Sequence, residues 1–513
     1  MISLPAQATT RLLHSQAFQV GLLIAAGVVV FAPNLNAYFL ADDFVLLSWS
    51  GASSPEQVLA FFDPNTPWFY RPMVRLYYWA GQSLFGLRAG PFHAFSMLLH
   101  AANAYLVYRL VVALWHSHMQ GQREPGARVQ KAWDSELGLG SWAGLAGALI
   151  FLLNPHHAET VSWVAAVADL LGALCALGAL MLFVRFLRSG GLVRLAGSGV
   201  LFAVGLLARE TAALLPVLAL LYAGVFYRRA VVGRVAGAFA VYGAMLVAYA
   251  GVQMAGRPPG VGAVARGGLQ FHPLHLDSIL LGILDYVHGL VPGGHLLAQQ
   301  SLDVLRVLVW VEWAVLALAA LALWKAGQRV VLFGLGWLLV SPLVFVFFTP
   351  PTDRYFYLPS VGYAILAAGL LAGVLEASLN RHRDGAVKAA VAGLAAVLVV
   401  WQGVALAGRV GQWQAVGHAS GGVLHDIKQA VSHPPDHAAF YFVDLPPFID
   451  GVPAFQNALP YAVQLAYGNP TLSARSVTCE QLQQVPPEPH SYIFRFKGDG
   501  VTRLTDRAQC LPR

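Results

Sequence analysis

The chain has 513 residues, of which 57% are hydrophobic and 11% are charged, whereas soluble domains average about 25% charged residues. Its apolar residues lie in runs of about 20, each long enough to cross roughly 30 Å of hydrocarbon, so the composition excludes an ordinary soluble protein. The net charge is +7, yet the cations stand in twos and threes between apolar runs rather than on one face, which argues against a nucleic-acid partner.

Eleven apolar runs bounded by glycine, proline and charge predict membrane helices. They lie at about 15–33, 91–114, 141–155, 161–184, 195–208, 211–227, 235–254, 302–324, 330–349, 358–376 and 388–408. The first run follows Arg11 and resembles a signal peptide, but it lacks a small-residue cleavage pattern. We therefore interpret it as a retained anchor.

The lysines and arginines of the connecting segments predict the orientation. With the N-terminus inside, the inner segments carry fifteen of these cations and the outer segments carry eight. The positive-inside rule favours this arrangement. An odd number of spans then places the segment from about residue 410 onward outside the cytoplasm.

Two outer segments are too long to be simple turns. Residues 34–90 contain the amphipathic run RPMVRLYYWAGQSLFGL, which predicts a helix lying in the membrane interface. Residues 255–301 begin with the flexible run RPPGVGAVARGG and continue with SILLGILDYVHGLVPGG, which is too short for a span and predicts a re-entrant or interfacial helix. Both segments belong to a membrane domain predicted to cover residues 1–409.

The tail, residues 410–513, combines the β-leaning runs AAFYFVDL and SYIFRFKG with proline-rich turns. This pattern predicts a small extracytoplasmic α+β domain, so the expected fold is an all-α polytopic membrane protein with a small C-terminal α+β domain. Of the three cysteines, Cys175 lies in an apolar run. Cys479 and Cys510 lie in the tail, where an external location would allow them to form a disulfide.

Ionisable groups at the outer edges of apolar helices are the informative residues, because burying them is costly unless they are paired or used. Asp42 and Asp43 come directly after the first helix. They predict a general base with a supporting neighbour, or a pair that binds a divalent cation such as Mg²⁺ or Mn²⁺. The plain alternative is a solvated loop or the N-cap of a helix over FVLLSW.

The outer hairpin NPHHAETVSW carries His156, His157 and Glu159, and Asp169 follows in the next helix. The spacing lacks the one-turn separation of a helical zinc site. Hydrogen bonding to a substrate, or capping of the helix near Thr160, is the favoured interpretation. Asp169 is interpreted as either paired with an arginine or functional.

Two further motifs combine an arginine with a carboxylate. Arg209 and Glu210 lie in ARETAALLP, and Asp353, Arg354 and Tyr355 lie in PPTDRYFYLPS. An arginine offers a planar donor fork that suits phosphate, which Asp353 would orient at Arg354. The alternative for Arg209 and Glu210 is a structural ion pair that holds a helical hairpin together. All four groups fall on the same predicted side of the membrane.

The same residues carry a resemblance to a known family. NPHHAETVSWVAAVADLLGALC resembles the pattern NPxHxExVxWxxxxxDLLxAL of GT-C glycosyltransferases, in particular the membrane part of the O-mannosyltransferase-like proteins that usually carry tetratricopeptide repeats. LLARETAALLPVLALLY, PPTDRYFYLPSVGY and YRPMVRLYYWAGQSLFGLRAGPFHAFSMLLHAANAYLVYRL are similar to other motifs of this family. The matches follow the family order over roughly residues 15–410. Arg209 replaces the family's lysine, Ala168 stands where a basic residue is frequent, and the repeats are absent.

This resemblance implies an inverting transferase of the inner (cytoplasmic) membrane of a bacterium. Its partners would be membrane lipids, a polyprenyl-phosphate sugar donor that reaches the outer face, and an acceptor protein or glycan. Asp42 would be the general base with Asp43 in support, and no cofactor other than a divalent cation at this pair is expected. The implied contacts are Arg209, Arg354, Arg71 and His157 to the donor phosphate, and His156, His157, Glu159, Asp169, Glu210, Asp353 and Tyr355 to the substrates.

A non-catalytic carrier or flippase of polyprenyl-linked saccharides is the rival hypothesis. It would also need outer arginines beside an apolar flank, but it predicts polar residues along a path through the membrane, whereas the predicted spans are nearly free of charge at their centres. A structural assembly protein, the third class, accounts for neither the paired aspartates nor the arginines.

Overall fold

The structure of the protein is a computed structural model that describes residues 15–65, 69–122, 130–227, 231–256, 276–290, 302–346, 352–379, 384–486 and 489–510. The run RPPGVGAVARGG and Arg11, both used in the sequence analysis, lie outside the described residues.

Helices are present at all eleven predicted positions. Their bounds are Gln16–Phe31, Ala89–Gln122, Gln130–Leu152, Val167–Ser189, Leu192–Ala208, Leu215–Phe226, Val232–Ala255, Leu302–Lys325, Arg329–Val340, Pro359–Leu379 and Asp384–Ala430. In the described part of the chain, six helices are long and apolar enough to cross a membrane. Several of the others are shorter because 3-10 turns replace their ends, as at Glu210–Leu214 and Ser341–Val344.

Five shorter helices lie in the segments between these. They are Asp42–Trp49, Pro55–Leu59, Pro72–Phe85, His157–Ser162 and Leu276–Leu290, and further 3-10 turns occupy Ala32–Asn36, Ala60–Phe62, Val164–Ala166 and Asp353–Phe356. The run predicted as an interfacial helix forms Pro72–Phe85, with its proline at the first helical position, where a missing N–H costs nothing. Leu276–Leu290 is the helix expected in the second outer segment.

Close helix packing fixes the segment that carries Arg354. Helices Arg329–Val340 and Pro359–Leu379 cross at two glycines: a Cβ at Gly334 would lie 2.6 Å from the Leu366 nitrogen, and one at Gly362 would lie 2.6 Å from the Leu338 nitrogen. Small residues allow such backbone contact between membrane helices. The turn Asp353–Phe356, directly before this crossing, is therefore held against the bundle.

The helix Asp384–Ala430, called the long helix below, continues past the predicted domain boundary near residue 410. Its 47 residues correspond to about 70 Å. The extension forms because apolar residues keep recurring at helical spacing beyond that point, and Val410, Trp413, Val416, Val423 and Ile427 are all buried. The tail predicted to begin at residue 410 consequently opens with the end of this helix, and its strands follow where the β-leaning runs AAFYFVDL and SYIFRFKG predict them.

The C-terminal domain contains the expected mixture of strands and helices. Its strands are β1 Ala439–Val443, β2 Phe448–Ile449, β3 Val452–Pro453, β4 Ser473–Val477, β5 Ser491–Phe496 and β6 Val501–Leu504. The main sheet has the order β4-β1-β5-β6, with β1 parallel to β4 and β5 and with β6 antiparallel to β5, while β2 and β3 form a separate hairpin. Helices Leu459–Tyr467 and Cys479–Gln484 accompany them, with 3-10 turns at Gln456–Ala458 and Arg507–Cys510.

Contacts with the long helix anchor this domain. The Tyr467 hydroxyl donates to the carbonyl oxygens of Ile427 at 2.9 Å and Val431 at 2.8 Å. The Asp426 carboxylate accepts the backbone N–H of Val501 at 2.9 Å. At the far side of the domain, a disulfide joins Cys479 and Cys510.

Candidate active site

The two adjacent aspartates have different environments. Both are in the first turn of helix Asp42–Trp49, where consecutive side chains point about 100° apart. Asp43 is 1% exposed, and its carboxylate accepts hydrogen bonds from the Leu40 N–H and the Tyr78 hydroxyl, both at 2.9 Å. Burial raises the pKa of Asp43 to about 7, although these hydrogen bonds oppose the shift. Asp43 thus faces the protein interior and fixes the start of the helix.

Asp42 is half-buried, and the charges of Arg354 and Arg71 act on its carboxylate. Burial raises the pKa of its carboxyl, against the opposing charges of Arg354 and, more weakly, Arg71. Among the residues described, no donor hydrogen-bonds this carboxylate. The residue before it, Ala41, has a φ of 39°, a conformation that side-chain-bearing residues rarely adopt and that is typical of functional sites.

Arg71 and Glu210 form a bidentate ion pair. The Arg71 Nη2 lies 2.8 Å from Glu210 Oε2, and Nε lies 3.1 Å from Oε1. The Arg71 guanidinium also lies over the Phe69 ring at 4.3 Å. The partner of Glu210 is therefore Arg71 and not its sequence neighbour Arg209, so the alternative of an ion pair between Arg209 and Glu210 does not hold.

Arg209 pairs instead with Asp169, with 2.9 Å between Nε and Oδ1, and both side chains are less than 10% exposed. The backbone of Arg209 is extended, with φ −156°, so successive side chains leave it in opposite directions. Gly172 makes room for this arginine, because a Cβ at that position would lie 2.7 Å from the Arg209 Cβ. Asp169 is thus paired with an arginine, which is one of the two interpretations that the sequence allowed.

Arg354 is held less closely by a carboxylate than the other two arginines. Its Nε lies 3.6 Å from Glu159 Oε1, beyond hydrogen-bond distance, and its backbone N–H donates to Glu159 Oε2 at 3.2 Å. Within the described structure, the buried Nε has no hydrogen-bond partner. The guanidinium lies 4.8 Å from the centre of the Trp163 ring and 5.4 Å from that of Tyr355. Burial raises the pKa of Glu159 to about 7, with Arg354 opposing the shift.

Asp353 does not orient Arg354, contrary to the sequence prediction. Its carboxylate accepts a hydrogen bond from His156 Nδ1 at 2.7 Å and forms an ion pair with Arg409. Although burial opposes ionisation, these two partners hold the pKa of Asp353 below its usual value. His156 Nε2 lies 2.9 Å from the Gly289 carbonyl oxygen, and its ring stacks on Phe356 at 4.2 Å. This group ties the Arg354 segment to the long helix and to helix Leu276–Leu290.

His157 lies apart from the charged residues. It is fully buried, with Nε2 2.8 Å from the Ser360 hydroxyl and its ring against Tyr357 at 4.6 Å. This hydrogen bond joins His157, the first residue of helix His157–Ser162, to the first turn of helix Pro359–Leu379, where Ser360 lies.

The remaining predicted residues form one charged cluster. The charges of Arg71, Arg209 and Arg354 all act on Asp169, and Tyr355 lies beside both Arg209 and Arg354. The site cluster, as it is called below, consists of Asp42, Arg71, Glu159, Asp169, Arg209, Glu210, Arg354 and Tyr355. These residues come from five separate parts of the chain.

A divalent cation at the acidic pair does not fit this geometry. Both carboxylate oxygens of Asp43 are occupied by Leu40 and Tyr78, and two arginines lie near Asp42. In the described part of the chain, no group of three or more His, Cys, Asp or Glu residues gathers where a metal could bind. Asp42 and Asp43 therefore cannot chelate one ion together without rearrangement.

Several residues that contribute to the candidate site were not predicted from the sequence. Arg409 lies in the long helix at the outer end of the last predicted span, and its only sequence signal is a cation in that position. Tyr78 falls within the predicted interfacial run and Trp163 within the outer hairpin, so both were visible as aromatics near the motifs. Nothing in the sequence indicated that Ala454 hydrogen-bonds the residue before Asp42.

Comparison with known proteins identifies the fold. No protein-family model and no curated protein matches the sequence. Among solved structures, ArnT from Cupriavidus metallidurans in the apo state matches with a TM-score of 0.50 and 14% identity, over 93% of this chain and 92% of that one. The crystal structure of the same protein bound to undecaprenyl phosphate gives a TM-score of 0.47 and 12% identity, over 94% and 93%. The chain thus shares the fold of ArnT, a polytopic helical membrane fold with a small C-terminal α+β domain.

Proposed function

We propose that the chain is a membrane glycosyltransferase that moves a sugar from a polyprenyl-phosphate donor to an acceptor hydroxyl on the outer face of the membrane. The observation that carries this proposal is the Asp42 carboxylate, which lacks a hydrogen-bond donor among the described residues and lies near two arginines. The fold shared with ArnT and the motif resemblance support it. Nucleotide sugars are confined to the cytoplasm, so a reaction outside needs a lipid-linked donor.

In the proposed reaction, Asp42 accepts the proton of the acceptor hydroxyl as the oxygen attacks the anomeric carbon. The bond between that carbon and the phosphate oxygen breaks on the opposite side, so the configuration inverts and polyprenyl phosphate leaves with one more negative charge. Burial raises the pKa of Asp42, and a base is most effective when its pKa is near the working pH.

The arginines differ in how well they suit the leaving phosphate. Arg354 is the best candidate, because its Nε is buried without a hydrogen-bond partner in the described structure and a preorganised guanidinium stabilises developing charge. Arg71 comes second, since Glu210 already holds two of its nitrogens. Arg209 is bound to Asp169. We assign it mainly a structural role, in which it packs against Gly172 and holds the neighbouring helices together.

The lipid part of the donor would approach through the bilayer. Helix Val232–Ala255 is apolar and has only two fully buried side chains, Ala238 and Tyr242, as expected for a helix surrounded by lipid tails. Tyr249 on this helix lies 6.5 Å from Tyr70, ring centre to ring centre, and Tyr70 directly precedes Arg71. A donor that reaches the site along this helix would bring its phosphate to the site cluster.

Replacement of Asp42 by Asn tests the proposal. Asn keeps the size of the side chain but cannot accept the proton, so transfer should fall by a factor on the order of 10² or more while donor binding persists. Glu56→Gln is the matched control, because Glu56 is an exposed carboxylate of the same outer segment. Transfer would be measured with a polyprenyl-phosphate sugar, with and without added Mg²⁺, Mn²⁺ and chelator.

Near-parental transfer by Asp42→Asn would remove the aspartate from the reaction. A parent protein that transfers no sugar but moves a polyprenyl-linked saccharide across vesicle membranes would establish the carrier hypothesis instead. Activity that requires a divalent cation would show that the site rearranges to bind one.

A further inference from the structure

The helix that starts with Asp42 is held from two sides. On the membrane-domain side, Asp43 binds Leu40 and Tyr78, and the Ser420 hydroxyl donates to the Phe39 carbonyl oxygen at 2.9 Å. These contacts fix the segment that leads into the helix. They do not reach the N–H of Ala41, the residue directly before Asp42.

The C-terminal domain supplies the second set of contacts. The Ala41 N–H donates to the Ala454 carbonyl oxygen at 2.7 Å. Next to it, the Phe44 and Phe455 rings stack with 5.9 Å between centres and 14° between planes, and both side chains are no more than 2% exposed. Helix Leu459–Tyr467 then packs along helix Asp42–Trp49, with Tyr461 edge-on to Trp49 at 6.4 Å.

Backbone strain occurs on both sides of this contact. Ala41 has a φ of 39°, and Gln456, which follows Phe455, has a φ of 45°. Non-glycine residues keep such conformations only where the surrounding structure over-determines them. Here the surroundings are the Ala41–Ala454 hydrogen bond and the Phe44–Phe455 stack.

From these contacts we infer that residues 454–456 are a positioning element of the active site, through which the C-terminal domain holds Asp42 in its reactive place. This inference rests on the proposed transfer reaction, in which Asp42 is the base. Phe455 touches no reacting atom in this scheme. Its effect is transmitted through Phe44 and Ala41 to the first turn of the Asp42 helix.

Phe455→Ala is the decisive variant. Loss of the stack should release the Asp42 helix, so kcat should fall by on the order of 10-fold to 100-fold with little change in the KM for the donor, because small misplacements of a catalytic group are costly. Phe455→Tyr should retain activity, since the stack persists. Phe448→Ala is the matched control: this phenylalanine lies in the adjoining hairpin but is 52% exposed, and its loss should change nothing.

Hydrogen exchange provides a readout that does not depend on activity. Phe455→Ala should raise amide exchange in peptides covering residues 37–49, while Phe448→Ala should not. Retention of the Cys479–Cys510 disulfide and a monodisperse profile in detergent would show that the variant is folded, and Phe455→Leu serves as a milder replacement if it is not.

The outcomes separate this inference from the proposed function. Unchanged exchange over 37–49 in Phe455→Ala would overturn the inference, as would raised exchange with parental kcat. A fall in kcat with raised exchange, restored in Phe455→Tyr, would establish it. If the parent protein transfers no sugar, the proposed function fails and with it the positioning role, whereas the exchange result still decides whether the contact holds the helix.

Discussion

Arg209 and Arg354 appear equivalent in the sequence, but the structure predicts opposite results when each is replaced by Ala. Arg209→Ala removes a buried ion pair with Asp169, in which Arg209 Nε and Asp169 Oδ1 lie 2.9 Å apart and both side chains are less than 10% exposed. At an effective dielectric constant of about 20, two unit charges at that distance attract by roughly 6 kcal/mol. Removing one partner of such a pair typically costs about 3–5 kcal/mol, because the other charge stays buried. Arg209→Ala should therefore lower the stability of the protein markedly.

Arg354→Ala should lower the stability of the protein less than Arg209→Ala does. It should weaken binding of the lipid donor more. Its contact with Glu159 is at 3.6 Å, so no side-chain hydrogen bond to that carboxylate is lost. Glu159, whose pKa burial raises to about 7, can also take up a proton when its partner is gone. A hydrogen bond to a charged group contributes about 1.5–3 kcal/mol, which predicts roughly 10-fold to 100-fold weaker binding of the lipid donor.

The assay combines thermal unfolding in detergent with binding of polyprenyl phosphate by native mass spectrometry. Arg209→Ala should unfold earliest but bind donor normally per folded molecule, and Asp169→Asn added to it should recover part of the stability because the unpaired charge is removed. Lys at position 354 should restore only part of the binding, since the planar donor fork is lost. An Arg209→Ala protein that is as stable as the parent but fails to bind donor, beside an Arg354→Ala protein that binds it, would refute this assignment.

Three further predictions concern pH, the cysteines and the topology. Because the pKa of Asp43 is raised to about 7 in the folded protein from about 3.9 in the unfolded chain, the folded state binds more protons between these values. The contribution of Asp43 to stability should thus be fully present below about pH 4 and be lost, by a few kcal/mol, as pH rises from about 4 to 7. Glu159, whose pKa is also raised to about 7, contributes in the same direction, so Asp43→Asn should reduce the loss of stability between pH 5 and 8 in urea titrations without abolishing it; an unchanged loss would mean that the Asp43 carboxyl is not a group that titrates. Cys479 and Cys510 are joined by a disulfide across 31 residues and Cys175 is buried, so alkylation of the unreduced protein should label none of the three. Loss of the disulfide should cost about 3–4 kcal/mol of stability in the chain-entropy model. Labelling of the two tail thiols would contradict this prediction. A phosphatase fused after Arg513 should be active and a cytoplasmic reporter dark, as the fifteen-to-eight cation count requires; the reverse would overturn the proposed sidedness of the site.

The apolar runs were sufficient to place the helices, because each run is bounded by glycine, proline or charge and is apolar enough to form a helix in a membrane. They did not show that the long helix continues to Ala430. Past residue 408 its mean polarity rises, and only the spacing of the buried residues maintains the helix. A threshold on hydropathy ends the span there, whereas packing against the C-terminal domain extends it.

The motifs identified which charges matter but not how they pair. Arg209 and Glu210 are neighbours in the chain, yet their side chains leave the extended backbone in opposite directions. Arg209 pairs with Asp169, and Glu210 pairs with Arg71. Asp353 likewise turns to His156 and Arg409 rather than to Arg354. Adjacent side chains point in different directions in helices and in extended backbone, so closeness in the sequence does not show which charges pair. The tertiary arrangement of five separate segments decides it.

The contact between Ala41 and Ala454 has a consequence for the order of events during biosynthesis. The chain is made from its N-terminus, and domains generally form as they emerge. The Asp42 segment leaves the ribosome early, but its supports arrive late: Ser420 lies 381 residues after Phe39, and Phe455 comes later still. Until those residues are translated, the Asp42 helix lacks these contacts. If the positioning role of residues 454–456 holds, a nascent chain inserted in the membrane would already carry Asp42 and the arginines of the site cluster yet remain inert, and it would become active only in the last stage of synthesis.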